Sequence, residues 1–450
     1  MITHFEVSNF KSLKELSLDL SKFMVFVGPN GAGKTNLVRA LEVFGEVLRR
    51  GTVEPIQRHG YDQLIRREKR PARAGLYFTV RSELPSAIVE NALRLSPIHM
   101  NKGKSIPISG PINFEIGIGV IGSVQADEIV VSREELRLTS PHDNLEVIWD
   151  GNKTTTNVGT DPTLWSMMYT ELIRYSRPVK LLDLTNQEGV KKLIEQALTL
   201  NTQDSVDPQL LHLVNWQRRP TGIMRYMRNI SQVTRLRLDA SALRKDLSIE
   251  DSTESMLGPT GEGLASAVAK LRGPKADPSV QFRKVLEELQ EVYPRIKDVS
   301  ARRIPSGHLI LLFKEHGISD ELGQGNISDG VLHALALLVA LHQKASEQSG
   351  LLAIEEPENA IHPWPLRKLI ARAQKSSRQI ILTTHSETVV NAVVNPEALF
   401  LVENDNKSGT TVTPAIERES ALKAILEESG QRLGDVWLDG SLGGVPEVES

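Results

Sequence analysis

The sequence predicts an α/β protein, with a mixed sheet, an antiparallel β subdomain and a helical insertion. Three observations predict it. Met24-Val25-Phe26-Val27 is a short apolar run of the kind that forms a strand buried on both faces. It leads straight into the glycine-rich stretch Gly28-Pro29-Asn30-Gly31-Ala32-Gly33-Lys34-Thr35. A second such run, Leu351-Leu352-Ala353-Ile354, ends on two carboxylates, Glu355 and Glu356. Between about 75 and 150 the apolar spacing is two, the period of half-buried strands.

Ile2, Phe5 and Val7 mark a first strand, and Leu16, Leu18 and Leu20 a second, ahead of the buried strand at 24–27. From Thr35 to Arg50, Leu37, Val38, Leu41, Val43, Phe44, Val47 and Leu48 form a helical stripe. Strands follow at Leu76–Val80, Ile112–Ile116, Glu128–Val131 and Leu145–Trp149, with Pro and Gly turns between them. About 161–300 reads as mostly helical, interrupted by Pro178, Pro208, Pro220, Pro259, Pro274 and Pro294. Strand character returns at His308–Phe313. A helix is expected over Asp329–Ser349, then strands at 351–355 and 379–384 with a helix between them, and a frayed tail from about 440. There is no internal repeat and no sustained heptad pattern. The expected organisation is an N-terminal lobe over 1–160, a helical insertion or lid over 161–300 and a C-terminal lobe over 301–450.

Composition narrows the function classes. A 450-residue chain with 40% hydrophobic and 24% charged residues is that of a globular protein with ample core. A net charge of −3 argues against coating nucleic acid through bulk charge. With no cysteine, disulfides, cysteine-ligated zinc and a thiol nucleophile are excluded. The N-terminus lacks the basic-then-apolar pattern of a signal peptide. No apolar run approaches the ~18 residues of a membrane span. A cytoplasmic protein with no membrane partner is expected.

The chemistry concentrates in two places. Gly28-x-x-x-x-Gly33-Lys34-Thr35 is the full phosphate-loop pattern, with an apolar strand before it and a helix after it. Its glycines let backbone N–H groups turn inward on phosphate oxygens, and the helix adds its positive end. Lys34 is expected to reach the β- and γ-phosphates, and Thr35 to bring its hydroxyl to Mg²⁺. Glu355 and Glu356 sit on adjacent strand positions and are expected to face opposite ways, one to a Mg²⁺ shell and one to the attacking water. Gln379–Thr384 is a further apolar strand, and it ends at His385, well placed to touch a γ-phosphate or the lytic water.

Two segments are locally basic, Arg49–Arg73 and Trp216–Lys245. Each reads better as a solvated helical face than as a nucleic-acid surface, although Trp216 and Tyr226 could stack on bases. Glu403 and Asp405 read as part of a turn rather than as a metal cluster.

On these residues the chain resembles the ABC-type ATPases of the RecF/SMC class, and most closely the compact AAA-type ATPases of bacterial anti-phage defence systems. Those include the ATPase subunits of Septu and PARIS and the ATPase half of OLD nucleases. The resemblance rests on Asn9-Phe10-Lys11-Ser12-Leu13, the glycine loop, residues 322–386 and the tail Leu433–Gly440. It implies a P-loop ABC-type ATPase head that takes ATP and Mg²⁺. Asn30, Gly31, Gly33, Lys34, Thr35 and Asn36 would be nucleotide contacts. Thr35 and Glu355 would be metal ligands, Glu356 the catalytic base and His385 the switch histidine. Ile327-Ser328-Asp329-Gly330 takes the place of the signature, so Ser328 and Gly330 would cap the γ-phosphate bound to an opposite protomer. Asp329 would face away or bridge to that protomer. Asn359 and His362 resemble the D-loop, and Gln57 and Gln63 are the candidates for a Q-loop.

The resemblance implies a homodimer or higher homo-oligomer. The short stretch after His385 leaves little room for a further domain. A nuclease or toxin effector is therefore expected in a separate polypeptide, with DNA or a phage-derived molecule as trigger. A RecF-like repair ATPase and an ATP-bound scaffold that sequesters a toxin are the alternatives.

Overall fold

The computed structural model describes residues 1–66, 75–94, 110–123, 128–150, 154–168, 188–189, 191–192, 222–245, 257–274, 277–305, 307–343, 350–405, 408–418 and 433–438. Its strands are β1 (His4–Phe10), β2 (Leu13–Asp19), β3 (Phe23–Val27), β4 (Leu76–Glu83), β5 (Asn113–Ser123), β6 (Glu128–Thr139), β7 (Asn144–Trp149) and β8 (Thr154–Val158). They continue with β9 (Val233–Leu236), β10 (Ile296–Arg303), β11 (Leu309–Glu315), β12 (Leu322–Gly323), β13 (Leu351–Glu355), β14 (Ile380–Thr384), β15 (Leu399–Asp405) and β16 (Gly409–Pro414). The fold is the mixed α/β arrangement that the sequence predicts. No helix among the described residues is long and apolar enough to cross a membrane.

The chain divides into two compact units that interleave along its length. The first comprises Met1–Ser21, Asn36–Val233 and Asn404–Thr411. Its framework is a seven-stranded sheet in the order β2-β1-β4-β5-β6-β7-β8, with antiparallel pairing throughout. The alternation seen in the sequence becomes two faces. Phe5, Val7, Phe78, Val80, Ile116 and Ile118 are buried. Helix α1 (Lys34–Arg50) places Phe44 between Phe5 and Phe78, with ring centroids 6.4 and 5.7 Å away. Tyr226, on helix α2 (Gly222–Ile230), is buried rather than available for stacking on bases. Its hydroxyl oxygen accepts from the Met1 ammonium at 2.9 Å. Trp216 and the basic residues at 67–73 lie outside the described residues.

The second unit comprises Lys22–Thr35, Thr234–Glu403 and Val412–Ser450. It is built on a six-stranded sheet in the order β16-β15-β3-β14-β13-β9. The pairs β15–β3, β3–β14 and β14–β13 are parallel, as expected for apolar runs buried on both faces. Helices α3 (Ala240–Leu243), α4 (Leu264–Arg272), α5 (Val280–Val292), α6 (Asp329–His342) and α7 (Pro363–Gln374) belong to this unit. An antiparallel sheet β10-β11-β12 accompanies them.

Helix α6 is buried from Val331 through Ala340, because its apolar residues run round the whole helix rather than along one stripe. It ends at His342, short of the expected Ser349, and 344–349 lie outside the described residues. The mostly helical reading of 161–300 omits β9, a four-residue strand at the edge of this sheet. Helix α3 is started by Asp239, whose carboxylate accepts from the backbone N–H groups of Ser241 and Ala242. The tail motif forms a helix over Leu433–Leu438, and the rest of that motif lies outside the described residues.

Candidate functional site

The four parallel strands bring three segments to one end of the sheet. β3 and β14 pair with Val27 opposite Thr384, and β14 and β13 pair with Thr383 opposite Glu355. The glycine loop after β3 therefore lies beside the carboxylates at the end of β13 and the histidine after β14. Ligands in open parallel sheets bind at this carboxyl edge.

The loop needs its glycines for two reasons. A Cβ at Gly28 would stand 2.2 Å from the Val402 carbonyl oxygen, a separation that only glycine permits. Gly31 and Gly33 have φ of 84° and 106°, in the region open to glycine. Lys34 is buried, and its Nζ donates to the carbonyls of Gly28 at 2.6 Å and Pro29 at 2.9 Å. Burial pushes the Lys34 ammonium below its ordinary value, opposed in turn by Glu356, Glu358 and Glu355. The cradle thus sets a cation at its floor. Asn30 is exposed at the rim of the loop. Asn36 belongs to the first unit, where its amide donates to the Ser12 hydroxyl at 2.7 Å.

Thr35 and Glu355 meet directly. The Thr35 hydroxyl donates to Glu355 Oε2 at 2.8 Å. Glu355 is 3% exposed, and its other oxygen forms an ion pair with Arg235 of β9. A hydroxyl and one carboxylate are the hard oxygen donors that suit Mg²⁺, which fills its remaining positions with phosphate oxygens and water. Among the described residues no group of three or more His, Cys, Asp or Glu could hold a metal by itself. Thr35 and Glu355 would be the protein donors to a Mg²⁺ ion at this place.

Glu356 diverges from Glu355 for a reason the pleat does not supply. β13 ends at Glu355, and Glu356 takes the left-handed region at φ 50°. Its backbone N–H still donates to Thr383 at 2.8 Å, so the chain turns sharply just beyond the ladder. A second left-handed residue, Ala360 at φ 61°, closes the turn. Such non-glycine conformations cost about 1–3 kcal/mol each and gather at functional sites. Glu356 Oε2 accepts from Asn359 at 3.2 Å and pairs with Arg237 at 3.4 Å. His385 Nδ1 is 3.9 Å from Glu356 Oε1 and 3.4 Å from Glu358 Oε1.

Three arginines and one acid escape sequence reasoning. Arg235 and Arg237 fall in a segment that reads as a solvated basic face, yet they lie against the two central carboxylates. Glu358 looks like one more acid in a polar run, yet it is mostly buried and touches the histidine. Arg244 organises the turn ahead of α6. Its guanidinium donates to the carbonyls of Gln324 at 2.7 Å, Gly325 at 3.1 Å and Ile327 at 2.6 Å. It also pairs with Asp329 at 2.5 Å. Asp329 is thus neutralised within its own chain. Arg235 lies on β9 and Arg237 just beyond its end, in a stretch whose sequence gives no local signal of these partners.

Ser328 is exposed and starts α6 without a side-chain capping bond. A Cβ at Gly330 would lie 2.9 Å from both the Ala360 carbonyl and the Tyr293 hydroxyl. Among the described residues, no hydrogen bond or ion pair links Ser328 or Gly330 to Lys34, Thr35, Glu355, Glu356 or His385. His362 acts locally: its ring accepts from the Trp364 N–H at 3.4 Å and caps α7, which starts on Pro363. Gln57 and Gln63 lie in the first unit; Gln63 lines a cavity of about 540 Å³ with Lys11, Ser12 and Arg66.

Two family models match parts of the chain. Residues 222–391 match the family model described as "AAA domain, putative AbiEii toxin, Type IV TA system", and residues 1–69 match "AAA ATPase domain". Sequence that matches AAA-type ATPase domain models thus lies on both sides of residues 70–221. It holds the glycine loop on one side, and the acidic strand and His385 on the other. A stretch of 48 residues is 44% identical to an OLD nuclease of Thermus scotoductus, covering 10% of this chain and 9% of that protein. A stretch of 37 residues is 60% identical to the chromosome partition protein Smc of Methanocaldococcus jannaschii, covering 8% of this chain and 3% of that protein. The matches therefore span a small fraction of either relative.

Among solved structures, the Smc head bound to the C-terminal winged-helix domain of ScpA is 12% identical. The alignment covers 92% of this chain and 96% of that one at a TM-score of 0.45. The SMC head domain from Thermotoga maritima is 11% identical, over 92% of this chain and 98% of that one, at 0.39.

Proposed function

We propose that this chain binds and hydrolyses ATP at the site formed by Lys34, Thr35, Glu355, Glu356 and His385. We further propose that it does so as a pair of chains controlling a separately encoded nuclease or toxin in anti-phage defence. The observation that carries the reading is the Thr35–Glu355 hydrogen bond. It closes the phosphate loop onto the acidic strand and sets Glu356 and His385 beside it.

In this reading the backbone N–H groups of Asn30 to Gly33 and the Lys34 ammonium hold the phosphates. Thr35 and Glu355 would hold Mg²⁺, which when bound neutralises charge on the β- and γ-phosphates. Glu356 accepts a proton from the attacking water, held in place by Asn359 and Arg237. His385 adds a second polar contact at that water or at the γ-phosphate. Among the described residues no hydrogen bond or ion pair links Ser328 or Gly330 to Lys34 or Thr35 of their own chain, and Ser328 is exposed at the start of a 14-residue helix. This supports their serving the nucleotide of a partner copy. The defence role rests on the resemblance to OLD nucleases and on the AbiEii-type family match.

The test combines phosphate release with size measurement, with and without Mg·ATP, for the wild type and for Glu356→Gln. ATP-dependent dimers that accumulate in the variant are the expected result. A monomer at every nucleotide state would overturn the pairing, and undiminished turnover in the variant would overturn the assignment of Glu356.

A further inference from the structure

The acid that meets His385 most closely is not the proposed base. Glu358 lies two residues beyond Glu356, in the turn framed by the left-handed residues Glu356 and Ala360. That turn carries its side chain to the end of β14. Glu358 Oε1 accepts from the Thr384 hydroxyl at 2.7 Å and from the His385 backbone N–H at 3.2 Å. The same oxygen lies 3.4 Å from His385 Nδ1. Thr384 is locked in turn, because its hydroxyl oxygen accepts from the Ser386 N–H at 2.9 Å. The second carboxylate oxygen of Glu358 is buried and has no hydrogen-bond partner among the described residues. Glu356 is occupied elsewhere, by Asn359 and Arg237.

A carboxylate can only accept hydrogen bonds, so an imidazole facing it must carry its proton on Nδ1. In the neutral ring the remaining nitrogen, Nε2, is then the acceptor, and no described residue bonds it. Carboxylates behind a histidine act in this way when they fix the tautomer and ring direction of a metal-bound imidazole. We infer that Glu358 is the positioning residue of His385: it fixes the Nδ1–H tautomer and leaves Nε2 as an acceptor for the hydrogen of the attacking water. The inference rests on the ATPase reading above.

The test is Glu358→Gln in the full chain. Glutamine keeps an oxygen for Thr384 and for the His385 N–H but no longer requires a proton on Nδ1. Three results are expected. Turnover falls by about 10–100-fold with ATP affinity close to wild type. The ¹⁵N ring signals of His385, identified by their loss in His385→Gln, leave the Nδ1–H pattern. The double variant Glu358→Gln/His385→Gln is no slower than His385→Gln alone, because the acid acts through the histidine.

An unchanged turnover, an unchanged ring tautomer or additive losses in the double variant would each overturn the inference. Failure of the ATPase reading is distinguishable. Wild type would then release no phosphate, while the ring signals would still report whether Glu358 sets the tautomer.

Discussion

The Thr35 hydroxyl donates to Glu355 Oε2 at 2.8 Å across 320 residues of sequence, and Arg235 holds the other oxygen of the same buried carboxylate. Glu355 thus ties the phosphate loop to the edge strand β9. Glu355→Ala leaves a guanidinium that is 20% exposed without its partner. The expected loss is about 3–5 kcal/mol of stability, whereas Thr35→Ala should cost about 1 kcal/mol. Urea denaturation of the two variants measures the difference. Equal midpoints would mean that Arg235 contributes nothing to holding the acid.

Glu356→Gln should reduce phosphate release by about 10²–10⁴-fold while leaving nucleotide affinity nearly intact, since Lys34 and Thr35 are untouched. Single-turnover kinetics and a fluorescent-nucleotide titration separate the two effects. A loss confined to affinity would place Glu356 in binding rather than in proton transfer.

Gly28→Ala introduces a methyl 2.2 Å from the Val402 carbonyl oxygen, and the obstacle is backbone rather than a flexible side-chain end. The loop or β15 must shift. A stability loss of about 1–3 kcal/mol and a phosphate loop that no longer retains nucleotide are expected. Calorimetry with and without ATP reads both, and a wild-type melting point with normal ATP-induced stabilisation would contradict the close approach.

Arg244→Ala removes the donors that hold the carbonyls of Gln324, Gly325 and Ile327 and strips Asp329 of its counter-charge. The turn ahead of α6 should loosen at a cost of about 1–3 kcal/mol, and turnover should fall with ATP binding by the single chain preserved. Ser328→Arg should give the same kinetic loss without the stability loss, because Ser328 makes no side-chain capping bond. If both variants hydrolyse ATP normally, the turn has no part in the reaction.

The parts of the site legible in the sequence are those whose pattern is local. The apolar run before Gly28, the run before Glu355 and the mostly apolar helix after Ser328 announce themselves within ten or fifteen residues. The pairs at 384–385 and 355–356 follow from the ends of such runs. What escaped is set by distant neighbours. β9 has a single buried residue, Leu236, so Val233-Thr234-Arg235-Leu236 lacks the apolar density of a core strand. The partners of Arg235 and Arg237 lie 120 and 119 residues further on. Basic residues whose acids are that remote look like a solvated face. Glu358 is likewise ordinary until β14 places Thr384 and His385 against it. β15 is different: Leu399-Phe400-Leu401-Val402 is an apolar run of the same type as the others and carried its own signal.

The order of strands in the second sheet also bears on how the protein is made. β3 is synthesised early, but both of its partners, β14 and β15, come near the far end of the described chain. At ~5–20 residues per second, the 320 residues from Thr35 to Glu355 alone take about 15–60 s to emerge. Throughout that time an apolar strand and its glycine loop have no ladder to join. Pairings this remote in sequence are slow to close. A nascent chain stalled before β14 holds the loop residues but not the strands that pair with β3, so the proposed nucleotide site can form only once β14 and β15 have emerged.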